Sequence, residues 1–205
     1  AVSYRWDWHP RCVTRGIWDE TDLAVRRQVR VDDVCVSHVL DDDLSKAAIK
    51  IDVSGKQVAG KPYQWTLKGP AGKIVLTEQG KLQSDHSFLE AELVSPVLWW
   101  PNGYGDPNLY SSEFVLYNDN KQELERHASK MGFRRIQLIA NEKAWDNTWV
   151  FPATSSLPPS CLEVNNRRIF GKGSNWVHPE VFIGNITPER YREQLILAKK
   201  AHFNI

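Results

Sequence analysis

Two runs decide how this chain folds: VRVDDVCVSHVL (Val29–Leu40) and AAIKIDVSG (Ala47–Gly55). In both, apolar residues alternate with polar or charged ones, the period of a strand with one buried face. Five further runs rich in Val, Ile, Tyr and Phe follow: YQWTLKG (Tyr63–Gly69), GKIVLTE (Gly72–Glu78), SFLEAELV (Ser87–Val94), LYSSEFVLY (Leu109–Tyr117) and GFRRIQLI (Gly132–Ile139). Stretches of Gly, Pro, Asn and Asp separate them, such as SGKQVAGKP, GPAGK, WWPNGYGDPN and YNDNKQ. About seven strands at intervals of roughly ten residues predict an antiparallel β-sandwich from Leu23 to near Ile139. The cysteine pair of antibody domains is missing, so the pattern predicts the sandwich architecture alone.

Beyond Ile139 the chain changes character. ANEKAWDNTWVFPATSSLPPS (Ala140–Ser160) is polar and proline-bearing, and reads as a hairpin plus linker. CLEVNNRRIFGKGSNW (Cys161–Trp176) reads as a second hairpin, turning at Asn165-Asn166, since asparagine tolerates the positive φ that such a turn needs. ITPERYREQLILAKKAHF (Ile186–Phe203) reads as a helix. Thr187 is its N-cap, and Pro188 sits in the first turn, where its missing N–H costs nothing. Tyr191, Leu195, Ala198 and Ala201 form one stripe, Lys199 and Lys200 suit the negative end of the dipole, and Asn204 is expected to end the helix. Strand, loop and helix make the opening of a β/α fold, which cannot close a parallel sheet alone.

The bulk composition narrows the function classes. Lys+Arg number 26 against 25 Asp+Glu, a net charge of +1, and no basic run marks a nucleic-acid face. No apolar stretch approaches the roughly 20 residues of a membrane span. No basic leader followed by an apolar run opens the chain, so no signal peptide is read. The 41% hydrophobic fraction suffices for a core, and nine tryptophans point to aromatic core plugs and to surfaces that grip flat, polar-edged ligands. The three cysteines, Cys12, Cys35 and Cys161, form no disulfide framework. The pairs His9/Cys12 and Cys35/His38 have a zinc-like spacing, but Cys35 and His38 lie three apart in a strand and point to opposite faces. Trp-Asp occurs at Trp6, Trp18 and Trp145, at spacings of 12 and 127, which is no repeat. No metal or cofactor is expected.

Several motifs stand together in one order: WDWHPRCVTRGIWDE (Trp6–Glu20), LWWPNGYGDPNLY (Leu98–Tyr110), MGFRRIQL (Met131–Leu138), and VNNRRIFGKGSNWVHPEVF with TPERYREQLILAKKAHFN (Val164–Asn204). In this order the chain resembles glycoside hydrolase family 2, and within it the β-mannosidase branch. The resemblance implies a mainly β chain: an immunoglobulin-like antiparallel sandwich followed by an incomplete β/α segment, the first strand and helix of a (β/α)₈ barrel. On that mapping, residues 1–21 are the C-terminal tail of a jelly-roll sugar-binding domain and 22–139 are the sandwich. Residues 140–161 are a linker or hairpin, and 162–205 are the truncated start of the barrel.

The resemblance also implies roles. Asp7 would hydrogen-bond hydroxyls of the terminal sugar, Trp6 would wall its subsite, and Trp8 would pack inward. Trp176, closing GSNW at the end of the first barrel strand, would line the same subsite with Asn175 in support. The next residues depart from the family pattern at His178 and Glu180, which puts sugar preference in question. Trp99, Trp100, Asn102 and Tyr104 are expected to build a rigid turn, and Arg134 to lock the sandwich to the barrel. Asp41-Asp42-Asp43 reads as a solvated loop, and Asn185-Ile186-Thr187 as a chance glycosylation motif. The family hydrolyses with retention through two glutamates. Both positions fall beyond Ile205, so this chain alone is expected to be inactive. The implied partners are a β-linked terminal sugar, a mannoside first, and the missing barrel of the same protein. Neither nucleic acid nor membrane is expected, and the compartment is periplasmic, secreted or lysosomal rather than cytoplasmic. The rival readings are a stand-alone carbohydrate-binding sandwich and a structural adaptor.

Overall fold

The computed structural model describes residues 16–17, 20–141, 160–176 and 183–205. They form two compact units: Arg26–Phe170, and Gly171–Ile205 together with the described residues up to Val25.

The larger unit is mainly β. Its first seven strands are β1 (Arg30–Leu40), β2 (Lys46–Lys56), β3 (Pro62–Lys68), β4 (Ile74–Lys81), β5 (His86–Val94), β6 (Tyr110–Tyr117) and β7 (Glu123–Met131). They make two sheets, one in the order β1-β2-β5 and one in the order β4-β3-β6-β7. Every ladder is antiparallel. The alternation read in the sequence is the alternation of burial. On β2, Ala47, Ile49, Ile51 and Val53 are buried while Lys46, Ala48 and Lys50 are not. Against them lie Trp65 and Leu67 of β3 and Phe114 and Leu116 of β6, all fully buried. Burying each such side chain contributes about 1.5–3 kcal/mol. Trp65 carries one polar atom into this core and satisfies it: Nε1–H donates to Ser112 Oγ at 2.8 Å.

Two details hold the sandwich's ends. A Cβ on Gly55 would stand 2.4 Å from the Arg30 carbonyl oxygen, so only glycine lets β1 and β2 meet there. Nearby, the Asp85 carboxylate accepts from the backbone N–H groups of Gln57, Val58 and Ala59 at 3.0, 2.8 and 3.1 Å. The turn after β2 is thereby tied to the segment before β5.

β8 (Ile136–Ala140) is a strand, as its sequence predicts, but it does not join the sandwich sheets. It pairs with β9 (Ser160–Val164), which pairs in turn with β10 (Arg167–Ile169), in a separate antiparallel sheet. The β9–β10 turn is Asn165-Asn166, with φ of 50° and 61°. β7 lies in ELERHASKM, where the sequence shows no strand pattern. It forms because β6 has an open edge; Glu123, Arg126 and Lys130 are exposed, while Glu125 is half-buried and accepts from the Val31 N–H at 2.6 Å.

The smaller unit contains α1 (Pro188–Lys200). Thr187 caps it, its side chain accepting from the Arg190 N–H at 3.3 Å, with Pro188 in the first turn. The helix stops at Lys200, short of Asn204, because His202 turns left-handed at φ 60°. None of its residues is buried, the tyrosine–leucine stripe included.

Candidate functional site

The residues after β10 are the ones the sequence marks for a site. Lys172 and Asn204 hold each other: the Lys172 N–H donates to Asn204 Oδ1 at 2.7 Å, and the Asn204 N–H donates to the Lys172 carbonyl at 2.8 Å. The Ile205 N–H reaches the same carbonyl at 3.3 Å. Gly173 permits the approach, since a Cβ there would lie 2.2 Å from the Ile205 carbonyl oxygen. Two segments separated by one helix therefore run against each other, the pairing that begins a βαβ unit. Residues 171–176 carry no regular strand; among the described residues the backbone pairing seen here is a single carbonyl shared by two N–H groups.

Asn175 and Trp176 end this segment. Both are exposed, Trp176 at 48%, and neither has a hydrogen bond or ring contact among the described residues. An exposed indole offers an apolar face and one N–H donor, the chemistry that meets the C–H face of a sugar. Trp6 and Asp7, the other two candidates, lie outside the described residues. So do Trp8, the His9/Cys12 pair, Trp18, Trp145, the linker 142–159, His178 and Glu180. No group of three His, Cys, Asp or Glu could hold a metal ion among the described residues. Cys35 is exposed on β1, while His38 faces the backbone of Arg134, so the two do not converge.

The aromatic turn does more than turn. Trp99 donates its N–H to the Phe133 carbonyl at 2.8 Å, and its ring lies under Arg134, whose guanidinium carbon is 4.6 Å from the ring centre. The Trp99 carbonyl accepts from Asn165 Nδ2 at 2.9 Å. Asn165 Oδ1 accepts from the Arg135 N–H, also at 2.9 Å. Arg135 Nη1 pairs with Asp42 Oδ1 at 2.9 Å, and Asn166 Nδ2 donates to the Asp42 carbonyl at 2.7 Å. Tyr104 accepts from the Phe170 N–H at 3.0 Å through its hydroxyl, with Arg167 over its ring. These residues clasp the β9–β10 hairpin to the sandwich. Asp42, Arg135, Asn165 and Asn166 had no such role in the sequence reading. Their only local signal was the turn, and the partners stand 30 to 124 positions away.

The comparisons place this geometry. The model for Glycosyl hydrolases family 2 matches residues 29–134, just over half of the chain. The chain belongs to glycosyl hydrolase family 2. Among its family-2 relatives, β-mannosidase B of Emericella nidulans is 30% identical over 201 residues, covering 96% of this chain. The chain spans only 22% of that relative's length. The solved β-D-mannosidase of Dictyoglomus thermophilum is 28% identical, with a TM-score of 0.75 over 98% of this chain and 24% of its own. A β-glucuronidase of Parabacteroides merdae shares the fold, with a TM-score of 0.68 and 16% identity over 86% of this chain and 21% of its own. The family-2 match covers the seven-stranded sandwich and ends at Arg134, the residue stacked on Trp99.

Proposed function

We propose that this chain is the non-catalytic portion of a retaining exo-β-glycosidase of the β-mannosidase kind. It supplies an interdomain scaffold and part of the subsite for the terminal sugar. The observation that carries this reading is the likeness to the Dictyoglomus β-D-mannosidase, which runs through 98% of the chain at 28% identity. On this reading residues 1–21 end a jelly-roll domain, 22–139 hold the scaffold sandwich, whose last strand ends at Met131, 140–161 link, and 162–205 open the barrel. The hydrogen bonds that hold Lys172 to Asn204 and Ile205 support the last assignment.

The chemistry divides between the parts. Retaining hydrolysis needs two carboxyl groups about 5–5.5 Å apart, one donating a proton to the leaving oxygen and one attacking the anomeric carbon. The barrel supplies both. Residues of this chain bind and orient: Trp176 packs on the C–H face of the sugar, Asn175 steadies the segment, Trp6 walls the subsite, and the Asp7 carboxylate accepts hydroxyl protons. Held in that way, the anomeric carbon lies in line with the nucleophile, and water is kept off the apolar face.

The test is kinetic, in the enzyme that carries this chain, with aryl β-mannoside, β-glucoside and β-galactoside side by side. Asp7→Asn and Trp176→Ala should each lower kcat/KM for the mannoside by about 10- to 100-fold, the size of a lost hydrogen bond to a charged group or of a lost stacking surface. Unchanged kcat/KM in both variants would remove these residues from the subsite. Preference for another glycoside would keep the scaffold and replace the sugar.

A further inference from the structure

We propose that the cleft between the edge strands β4 and β5 is a second carbohydrate site, one that holds a short neutral oligosaccharide without cleaving it. β4 ends one sheet of the sandwich and β5 ends the other, and no ladder joins them. The opening between them is a cleft of about 500 Å³, within the range of small-ligand sites. Tyr63, Glu78, Lys81, Gln83, Phe88 and Glu90 are among its lining residues.

Three polar groups in this cleft lack partners. The Tyr63 hydroxyl and the carboxylates of Glu78 and Glu90 make no hydrogen bond or ion pair among the described residues. Tyr63 is nevertheless fixed, with its ring stacked on the buried Phe114 at 5.7 Å and 15°. Burial and the nearby Glu78 charge raise the Tyr63 pKa, so the phenol keeps its proton and stays a donor. The ligand must therefore offer both donors and acceptors. Adjacent hydroxyls of a sugar do so, each giving one proton and accepting another. Lys81 stands in the same lining as Glu78 and Glu90, so neither a strong anion nor a strong cation suits all of it.

The apolar side of a sugar also has a place. Phe88 is 52% exposed, and its ring is held by Lys50 Nζ, 4.0 Å from the ring centre, and by His86, 4.7 Å away. His86 is anchored in turn to Asp52 at 2.7 Å. The turn at the cleft's end is closed, the Ser84 N–H donating to Ser87 Oγ at 3.1 Å and Ser87 Oγ–H to the Ser84 carbonyl at 2.9 Å. A wall fixed before the ligand arrives costs little to order on binding. The site lies in the Arg26–Phe170 unit, whereas Trp176 belongs to the other. It is independent of the subsite proposed above.

The test uses this chain, labelled with nitrogen-15 and titrated with β-1,4-mannotriose and separately with cellotriose. Saturable amide shifts in β4 and residues 82–90 are expected with at least one of them. Tyr63→Phe keeps the ring and removes only the hydroxyl, and Glu78→Gln keeps the shape and removes the charge. Each should weaken binding by about tenfold, the usual size for a hydrogen bond of this kind. No saturable shift with either sugar would overturn the site, as would binding unaltered in both variants. Shifts confined to residues around Trp176 would also overturn it, while leaving the glycosidase reading intact.

Discussion

Asn165 reaches across 66 positions of sequence to donate its side-chain amide to the carbonyl of Trp99, at 2.9 Å. The other end of the same amide receives the Arg135 N–H, and the residue is 5% exposed. One side chain thus ties the hairpin turn to the aromatic loop and to the strand before it.

Replacing Asn165 should accordingly cost more than an ordinary turn substitution. Asn165→Ala leaves a carbonyl and an N–H unpaired at a backbone φ of 50°, and we expect a loss of about 2–4 kcal/mol from urea unfolding. Asn165→Gly suffers the same lost bonds without the left-handed penalty, so it should retain about 1 kcal/mol more than the alanine variant. Equal values for the two would mean that the backbone conformation carries no cost.

The Trp65–Ser112 pair offers a second test, in the middle of the core. Ser112→Ala strands the indole N–H in a buried site and should cost about 1–3 kcal/mol. Trp65→Phe with Ser112→Ala removes both partners, so the double variant should lose less than the sum of the singles. A denaturant-based double-mutant cycle reads that difference.

Acid should loosen the turn after β2 through Asp85. The N–H groups of Ala59, Gln57 and Val58 hold its carboxyl below the ordinary range. Because the folded pKa is depressed, this stabilisation is complete above the unfolded value of about 4 and disappears as pH falls through the folded one. Asp85→Asn should lower the urea midpoint at pH 7 and show a shallower acid decline than wild type. Parallel curves for the two proteins would exclude Asp85 as a contributor.

His38 works in a higher window. Its Nε2 lies 3.2 Å from both the N–H and the carbonyl oxygen of Arg134, and its ring meets Phe133 edge-on. Burial lowers its pKa, with the Arg134 charge acting in the same direction. The folded protein therefore resists the proton that the unfolded chain takes up near pH 6.5. Stability should be complete above that value and decline as pH drops toward the lower folded pKa. His38→Gln should flatten this limb between about pH 7 and 5, measured as the difference in Tm from wild type.

Gly173→Ala should separate Lys172 from its neighbours, since the new methyl falls on the Ile205 backbone. The amide hydrogens of Asn204 and Ile205 donate to the Lys172 carbonyl, so their exchange with solvent should accelerate in the variant. Protection factors near those of wild type would show that the pairing survives.

Six sandwich strands were legible as runs of Val, Ile, Tyr and Phe between turn residues, and β2 also alternates, with Ile49, Ile51 and Val53 against the core. β7 was not, since Glu123, Glu125, Arg126 and Lys130 leave it no apolar rhythm, and only the open edge of β6 makes it a strand. The run GFRRIQLI was readable as a strand, but its partner β9 lies past nineteen intervening positions, and partner choice leaves no local mark. The helix start was written in Thr187 and Pro188. Its end was not, because His202 takes a left-handed turn that usually belongs to glycine. The exposed Trp176 ends the run GKGSNW, and its role at a sugar subsite rests on the proposal above. The lining of the β4–β5 cleft was not, because Tyr63, Glu78 and Glu90 meet only through the stacking of two sheets.

The hairpin clasp also has an order in time. Asp42 and Trp99 are made well before Asn165 and Asn166, Arg135 comes 30 residues ahead of Asn165, and all seven sandwich strands precede the turn. The receiving surface can therefore mature while the chain is still being translated, and the late hairpin docks onto a finished template.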